Sequence, residues 1–139
     1  MKYKFIDDLT SDVMFEAYGK DLNELFINAA EALFSVICKI DKVESKEKRN
    51  IILEMPSVEE LMISWLQELI ALVDTEEMFF NKFDVKIEQK ENIYSLNATI
   101  HGESISQEKG ETVVKAVTYY KYKLEKTKDG YKVMISLDI

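Results

Sequence analysis

Apolar and polar residues alternate over the last nine residues of the chain, from Tyr131 to Ile139. One face of this stretch carries Tyr131, Val133, Ile135, Leu137 and Ile139. The side chains between them include Lys132 and Asp138. Because successive side chains of a strand point to opposite faces, this alternation predicts a β-strand with one buried face.

Further segments show the same alternation and are predicted to be strands. Gly19 ends the predicted strand over residues 12–18, and Pro56 ends the one over residues 50–55. We expect residues 41–49 to form a charged loop or an exposed strand edge, and residues 101–112 to form a loop that contains His101. The predicted strands cover residues 3–6, 12–18, 50–55, 83–88, 94–100 and 114–124.

Two segments instead repeat apolar residues at helical spacing. The first is predicted to run from Leu22 to Cys38, after an Asp21…Glu24 capping box, and the second covers about residues 58–73, after Ser57. Cys38 borders the apolar stripe of the first helix, so we interpret it as a small core residue. As a nucleophile it would need a histidine partner.

Asp129-Gly130 is a sequence typical of a two-residue hairpin turn. A tight turn there would place Leu124 opposite Ile135, which are both apolar. The same register places Lys121 opposite Asp138, as a cross-strand ion pair on an exposed face.

The order of these elements predicts an α+β fold. We expect one domain over residues 1–139, with two layers and mainly antiparallel β-sheets on which two amphipathic helices pack. At 139 residues the chain is long enough to bury a sizeable core.

The net charge of −8 narrows the possible partners. An acidic chain without a basic stripe is not expected to bind nucleic acid directly and tightly, whereas it suits a basic protein or a divalent cation. No apolar run reaches the ~18 residues of a membrane helix, and no signal-peptide core follows Met1. With a single cysteine as well, we expect a cytoplasmic protein and no membrane partner.

Candidate chemistry is sparse. His101 is the only histidine, and no phosphate-binding, zinc or nucleophile motif is present, so enzymatic activity is not expected. Asp8, Asp12 and Asp138 are the remaining acidic candidates, and carboxylates are ligands that hard divalent cations prefer. Asp12 begins one predicted strand and Asp138 ends another, so the two could meet at a sheet end. Alternatively, each is simply a solvated side chain.

Several segments resemble conserved stretches of the archease family. Asp8–Asp12 is similar to its "DHTAD" opening, and the other segments follow over nearly the whole chain, in order and at compatible spacing. Together they resemble the family's "YG" (Tyr18-Gly19), "LEELF" (the predicted helix from Leu22), "WLNELL" (Trp65–Leu69), "GE" (Gly102-Glu103), "VKAVTYH" (Val114–Tyr120) and "DI" (Asp138-Ile139).

The resemblance implies an activator of an RtcB-type tRNA-splicing RNA ligase, which joins 3′-phosphate (or 2′,3′-cyclic-phosphate) and 5′-hydroxyl ends. Such an activator promotes guanylylation and turnover of the ligase without being an enzyme itself. The resemblance also implies a divalent ion, calcium in the family, held by Asp12, Asp138 and Ile139. Manganese or magnesium shared with the partner are the alternatives.

Two positions depart from the family pattern, since Leu9 and Tyr120 stand where it usually has histidine. Leu9 cannot coordinate a metal, and Tyr120 keeps a hydroxyl but no imidazole. Asp8 and Lys115 are further candidates for contact with the partner or a nucleotide, although Lys115 could equally pair with an acidic neighbour. The alternative function is a chaperone-like protein-interaction module with no metal-dependent role.

Overall fold

The computed structural model describes residues 1–8 and 12–139. In these residues the chain forms two antiparallel sheets and two helices. Within these residues the predicted α+β class is confirmed. The strands are β1 (Tyr3–Ile6), β2 (Val13–Gly19), β3 (Glu47–Met55), β4 (Met78–Lys90), β5 (Ile93–Ser104), β6 (Ala116–Thr127) and β7 (Gly130–Asp138). The helices are α1 (Leu22–Ile37) and α2 (Val58–Thr75), with a 3-10 turn at Ile40–Lys42. The first sheet has the strand order β1-β2-β7-β6, and the second has the order β3-β5-β4.

Both helices begin at the capping residues that the sequence predicts. The carboxylate of Asp21 accepts the Glu24 N–H at 2.9 Å, and the Ser57 hydroxyl accepts the Glu60 N–H at 3.1 Å. Such caps satisfy backbone donors that the first helical turn leaves free. The ends differ slightly from the prediction, since α1 stops at Ile37 and α2 continues to Thr75.

The core lies between the helices and both sheets. Helix α1 contacts β2 and β4, and α2 contacts β3 and β6, so each helix touches strands of both sheets. Trp65 of α2 is fully buried, donates its indole N–H to the Phe26 carbonyl at 3.0 Å, and meets the Phe83 ring edge-on. Cys38 is buried beside this core, as predicted.

The predicted turn and register of the last hairpin are wrong. The turn lies at Lys128-Asp129, and Leu124 pairs with Val133 rather than Ile135. Gly130 is the first residue of β7, with φ +152°, and a Cβ there would lie 2.2 Å from the Gly19 carbonyl oxygen. The glycine is therefore needed for close approach of β7 to the end of β2, and the turn moves back by one residue.

A bulge in β6 changes the register a second time, between Thr118 and Lys123. Lys121 adopts φ +52°, and the Ser136 hydroxyl donates to the Tyr120 carbonyl at 2.8 Å. As a result Asp138 lies opposite Ala116, and the predicted pairing of Lys121 with Asp138 is wrong. The extra residues let the β6 side chains on both sides of the bulge reach the core.

Boundaries in the second sheet also differ from the prediction, and β4 runs from Met78 to Lys90 rather than over residues 83–88. β5 continues to Ser104, so His101 lies in a strand rather than a loop, with its Nε2 3.2 Å from Asp84 Oδ2. β3 begins at Glu47 and lies at an edge of its sheet, so residues 47–49 form a strand edge rather than a loop. β5 is central in this sheet, and backbone pairing with both neighbours extends it through polar sequence.

Strand β6 lies at an outer edge of its sheet, and α2 runs beside it. Gln67 Oε1 accepts the Val117 N–H at 3.1 Å, and the Tyr122 hydroxyl donates to the Glu59 carbonyl at 2.7 Å. These contacts occupy part of the free edge. Within the described part of the chain, neither helix has the length and apolar character needed to cross a membrane.

Candidate metal and partner site

Three chain segments meet at one end of the first sheet. Val13, the first residue of β2, pairs with Leu137 near the end of β7, and Asp138 pairs with Ala116 at the start of β6. The residues just outside these strands are therefore neighbours. We call this end, formed by Asp12, Lys115, Asp138 and Ile139, the site edge.

The structure brings Asp12 and Ile139 into direct contact. Asp12 Oδ2 accepts the Ile139 N–H at 3.1 Å, and the Asp138 carbonyl accepts the Lys115 N–H at 2.7 Å. The side chains of Asp12, Lys115 and Asp138 are exposed. Thus the residues predicted to hold a metal lie side by side, although 127 positions separate Asp12 from Ile139 in the sequence.

The donor atoms of the site edge are of the type that a hard divalent cation prefers. Two aspartates and the main-chain oxygen of Ile139 are the oxygen ligands that calcium and magnesium prefer. In residues 1–8 and 12–139, however, no group of three His, Cys, Asp or Glu side chains is close enough to hold an ion. These donors would supply only part of a coordination shell, and metal binding here stays a prediction.

Asp8 lies in a different arrangement. Its carboxylate accepts hydrogen bonds from the Tyr120 hydroxyl, at 3.3 and 3.4 Å, and from Lys121 Nζ at 3.0 Å. The hydrogen bond to Asp8 raises the pKa of Lys121, and the ammonium also lies 5.3 Å from the Tyr120 ring centroid. The Asp8 side chain is only 11% exposed, so Tyr120 and Lys121 compensate a largely covered charge.

The sequence did not indicate this Asp8–Tyr120–Lys121 arrangement, because it depends on the bulge in β6. Tyr120 keeps a hydrogen-bond donor where the family usually has histidine, and that donor is used by Asp8. The departure at Leu9 falls on residues 9–11, outside the described residues. Lys115 makes no ion pair with the parts of the chain that are described, so the alternative that it pairs with an acidic neighbour is not observed there.

Comparisons with known proteins decide the family. The sequence model of the archease protein family matches residues 3–139. The chain belongs to the archease family. Protein archease of Methanosarcina mazei is 40% identical over 141 aligned positions, covering 99% of this chain and 96% of that protein. Protein archease of Pyrococcus abyssi is 42% identical over 123 positions, 87% of each chain.

Solved structures share the fold. The solution structure of Methanobacterium thermoautotrophicum protein 1598 superposes with a TM-score of 0.87 at 36% identity, covering 99% of this chain and 98% of that one. A Thermotoga maritima crystal structure, described as an archease and possible chaperone, gives a TM-score of 0.64 at 18% identity, covering 96% and 95%. The resemblance inferred from the sequence motifs is therefore confirmed as family membership.

Proposed function

We propose that this protein activates an RtcB-type RNA ligase in the cytoplasm, promoting guanylylation and turnover of the ligase without catalysing the ligation itself. Membership of the archease family supports the proposal. The observation that carries it is the contact of Asp12 with Ile139, which gathers Asp12 and Asp138 at one exposed edge.

Electrostatics fit such a partner. A ligase that handles RNA and GTP must present basic surface to phosphate groups. A chain with net charge −8, carrying exposed aspartates at the site edge, is attracted to such a surface and repelled by the RNA. The site edge would therefore face the guanylylation site of the ligase.

The site edge would hold a divalent ion through the carboxylates of Asp12 and Asp138 and the main-chain oxygen of Ile139. Calcium is the first expectation, with manganese or magnesium shared with the ligase as alternatives. A bound ion would supply positive charge next to phosphate oxygens. Asp12 also positions the last residues of the chain, because its carboxylate accepts a hydrogen bond from the Ile139 N–H. Lys115 and Asp8 are the remaining candidates for contact with nucleotide or partner.

The test is formation of the guanylylated ligase with and without this protein. Asp12→Ala and Asp138→Ala should each lower the stimulation at least about tenfold, since even the removal of a group that only orients a metal ligand has effects of this size. Asp41→Ala removes the same charge from an exposed position in the 3-10 turn and should leave stimulation unchanged. Full stimulation by both folded site variants would reject the site.

Calorimetric titration of the isolated protein with Ca²⁺, Mn²⁺ and Mg²⁺ gives a readout independent of the ligase. Wild type and Asp41→Ala should bind the same ion alike, and Asp12→Ala and Asp138→Ala should bind it more weakly. Equal binding by all four proteins would place the ion elsewhere.

The second candidate function is a chaperone-like interaction module with no metal role. It is favoured by the Thermotoga relative described as a possible chaperone, and by exposed apolar side chains such as Val113, which is 79% exposed. It predicts that Asp12→Ala and Asp138→Ala keep full activity. It also predicts that the protein delays aggregation of heated ligase at equal molar ratio.

A further inference from the structure

An apolar groove lies beside the segment that joins β5 to β6. Its volume is about 350 Å³, and it lies between the C-terminal parts of both helices and residues 105–114. Apolar side chains form most of its wall. They include Ile37, Ile70, Val73, Phe79, Ile105 and Val113.

Two of these side chains project from the groove into solvent. Ile105 is 43% exposed and Val113 is 79% exposed. Exposed apolar groups gathered around one concavity mark a binding surface more often than isolated ones do.

The groove is held open by backbone hydrogen bonds from the joining segment. Glu111 N–H donates to the Ile37 carbonyl at 2.9 Å, and Ile105 N–H donates to the Glu77 carbonyl at 2.9 Å. Thr112 N–H also bonds to α1, at the Val36 carbonyl. Because these hydrogen bonds order the walls before a ligand binds, little binding free energy would be lost in ordering them.

Acidic groups border the groove. Asp74 and Glu111 line it and are exposed; Asp74 makes no ion pair among residues 1–8 and 12–139. Glu111 has Lys39 at 4.0 Å, and both side chains are about half exposed, so solvent screens that pair. Ser106 also lines the groove, and its buried Oγ has no hydrogen-bond partner in the described part of the chain. A ligand that carries positive charge would thus meet Asp74 and the weakly paired Glu111 at the rim.

We propose that this groove receives a large apolar side chain from a basic segment of the partner ligase, with an adjacent Lys or Arg over Asp74 and Glu111. This inference rests on the proposed function for the identity of the partner. Charge complementarity carries the choice of occupant, since an apolar residue flanked by cations matches both the wall and the rim.

The groove is also close to the site edge along the chain. Val113 lies two residues before Lys115, a span of at most ~7 Å, and the Lys115 N–H is bonded to Asp138. One partner segment on the groove would therefore hold the site edge near the same partner. The groove contributes affinity for the ligase, and the site edge contributes the metal ligands.

The experiment measures the dissociation constant for the purified ligase by calorimetry. Val113→Asp and Ile105→Asp should weaken binding about tenfold or more, because each would place a carboxylate against the partner's apolar side chain as that side chain is buried. Ile52→Asp is the matched control; Ile52 is 68% exposed on β3, outside the groove, and its replacement should change binding less than about twofold.

Charge reversal tests the rim. Asp74→Lys should weaken binding several-fold, whereas Glu54→Lys makes the same change in net charge at an exposed β3 residue and should not. If wild type binds the ligase and the groove variants bind as their controls do, the groove proposal is overturned and the proposed function stands. If wild type does not bind the ligase, both are overturned.

Discussion

Cys38 follows the last residue of α1 and is 1% exposed. Its thiol donates to the Phe34 carbonyl at 3.3 Å. Burial, with a smaller effect of Glu111, raises the pKa of this thiol from 9.0 to about 12. The fold therefore favours the neutral thiol: this contribution to stability is complete below pH 9, and it is lost as the pH rises toward 12.

We expect Cys38 to resist alkylation while the protein is folded. At pH 8 its thiolate fraction is roughly a thousandfold lower than in the unfolded chain, so iodoacetamide should react correspondingly slowly in buffer and rapidly in urea. Mass spectrometry of timed samples measures both rates. A Cys38→Ala/Ser104→Cys double variant carries its thiol at an exposed position and should react quickly in both conditions. Fast alkylation of folded wild type would contradict the buried placement.

Single residues show what sequence could and could not indicate. The burial of Cys38 follows from its place next to the apolar stripe of α1, which is a local pattern. The partners of Asp8 are not local, because Tyr120 and Lys121 are more than 110 positions away. Only the folded arrangement of β6 shows which donors reach that carboxylate.

At the scale of elements, the bulge of β6 decides which side chains face Asp8. Lys121 has φ +52°, a conformation that costs most residues energy and that β-branched residues tolerate least. Ser136 supports the bulge through its bond to the Tyr120 carbonyl. Within β6 this left-handed conformation is confined to Lys121.

Lys121→Val should lower the melting temperature by about 5 °C, because valine fits this backbone conformation poorly. Lys121→Asn also lacks the ammonium but tolerates the conformation, so its loss should be much smaller. Lys123→Val, in the regular part of β6, should change stability little. Thermal unfolding followed by the fluorescence of buried Trp65 compares the three. Equal losses for Val and Asn at position 121 would attribute the effect to the lost ion pair instead.

Element types were predictable, whereas strand pairing was not. The caps at Asp21 and Ser57 and the apolar stripes define both helices from nearby residues. The hairpin register depended on contact between Gly130 and Gly19, which the sequence of the hairpin does not contain. Packing of β7 against the neighbouring strand β2 therefore outweighed the local turn preference of Asp129-Gly130.

At the scale of the whole molecule, Glu103 joins separate segments. Its carboxylate accepts the Glu44 N–H at 2.6 Å and a hydrogen bond from Lys109 at 2.7 Å, with Lys46 at 3.7 Å. The bond from Lys109, followed by that from Glu44, lowers the pKa of Glu103. The residue is 8% exposed and fixes both the loop before β3 and the segment that forms the groove.

A carboxyl group whose pKa is lowered by folding stabilises the protein above its unfolded pKa near 4.5, and this stability is lost as the pH falls below it. Glu103→Gln should therefore melt about 4 °C lower than wild type at pH 7, with the gap closing below pH 4. Scanning calorimetry between pH 3 and pH 7 makes the comparison. Glu54→Gln, at an exposed position, should follow wild type throughout. A gap that does not narrow between pH 7 and pH 3 would contradict an ionic role.

The fold and the candidate sites differ in how much of each could be predicted from the sequence. The α+β class follows from element order. The sequence places Asp12 at a strand start and Asp138 at a strand end, which makes their meeting one of two alternatives, and only the family resemblance adds Ile139, whose N–H contacts Asp12. The groove could not be predicted, because residues 105–114 lack periodicity and acquire their position from bonds to α1 and to Glu77. Non-local bonds leave no pattern in a single sequence.

The hydrogen bond from Val117 to Gln67 has a consequence for polymerisation. An outer strand with unused amide and carbonyl groups can template the addition of further chains, and fibres grow in this way. Here α2 covers the part of that template around Val117 and Tyr122. Fibre growth from this strand should therefore wait for α2 to detach, so its rate would follow the detachment of one helix rather than the melting of either sheet.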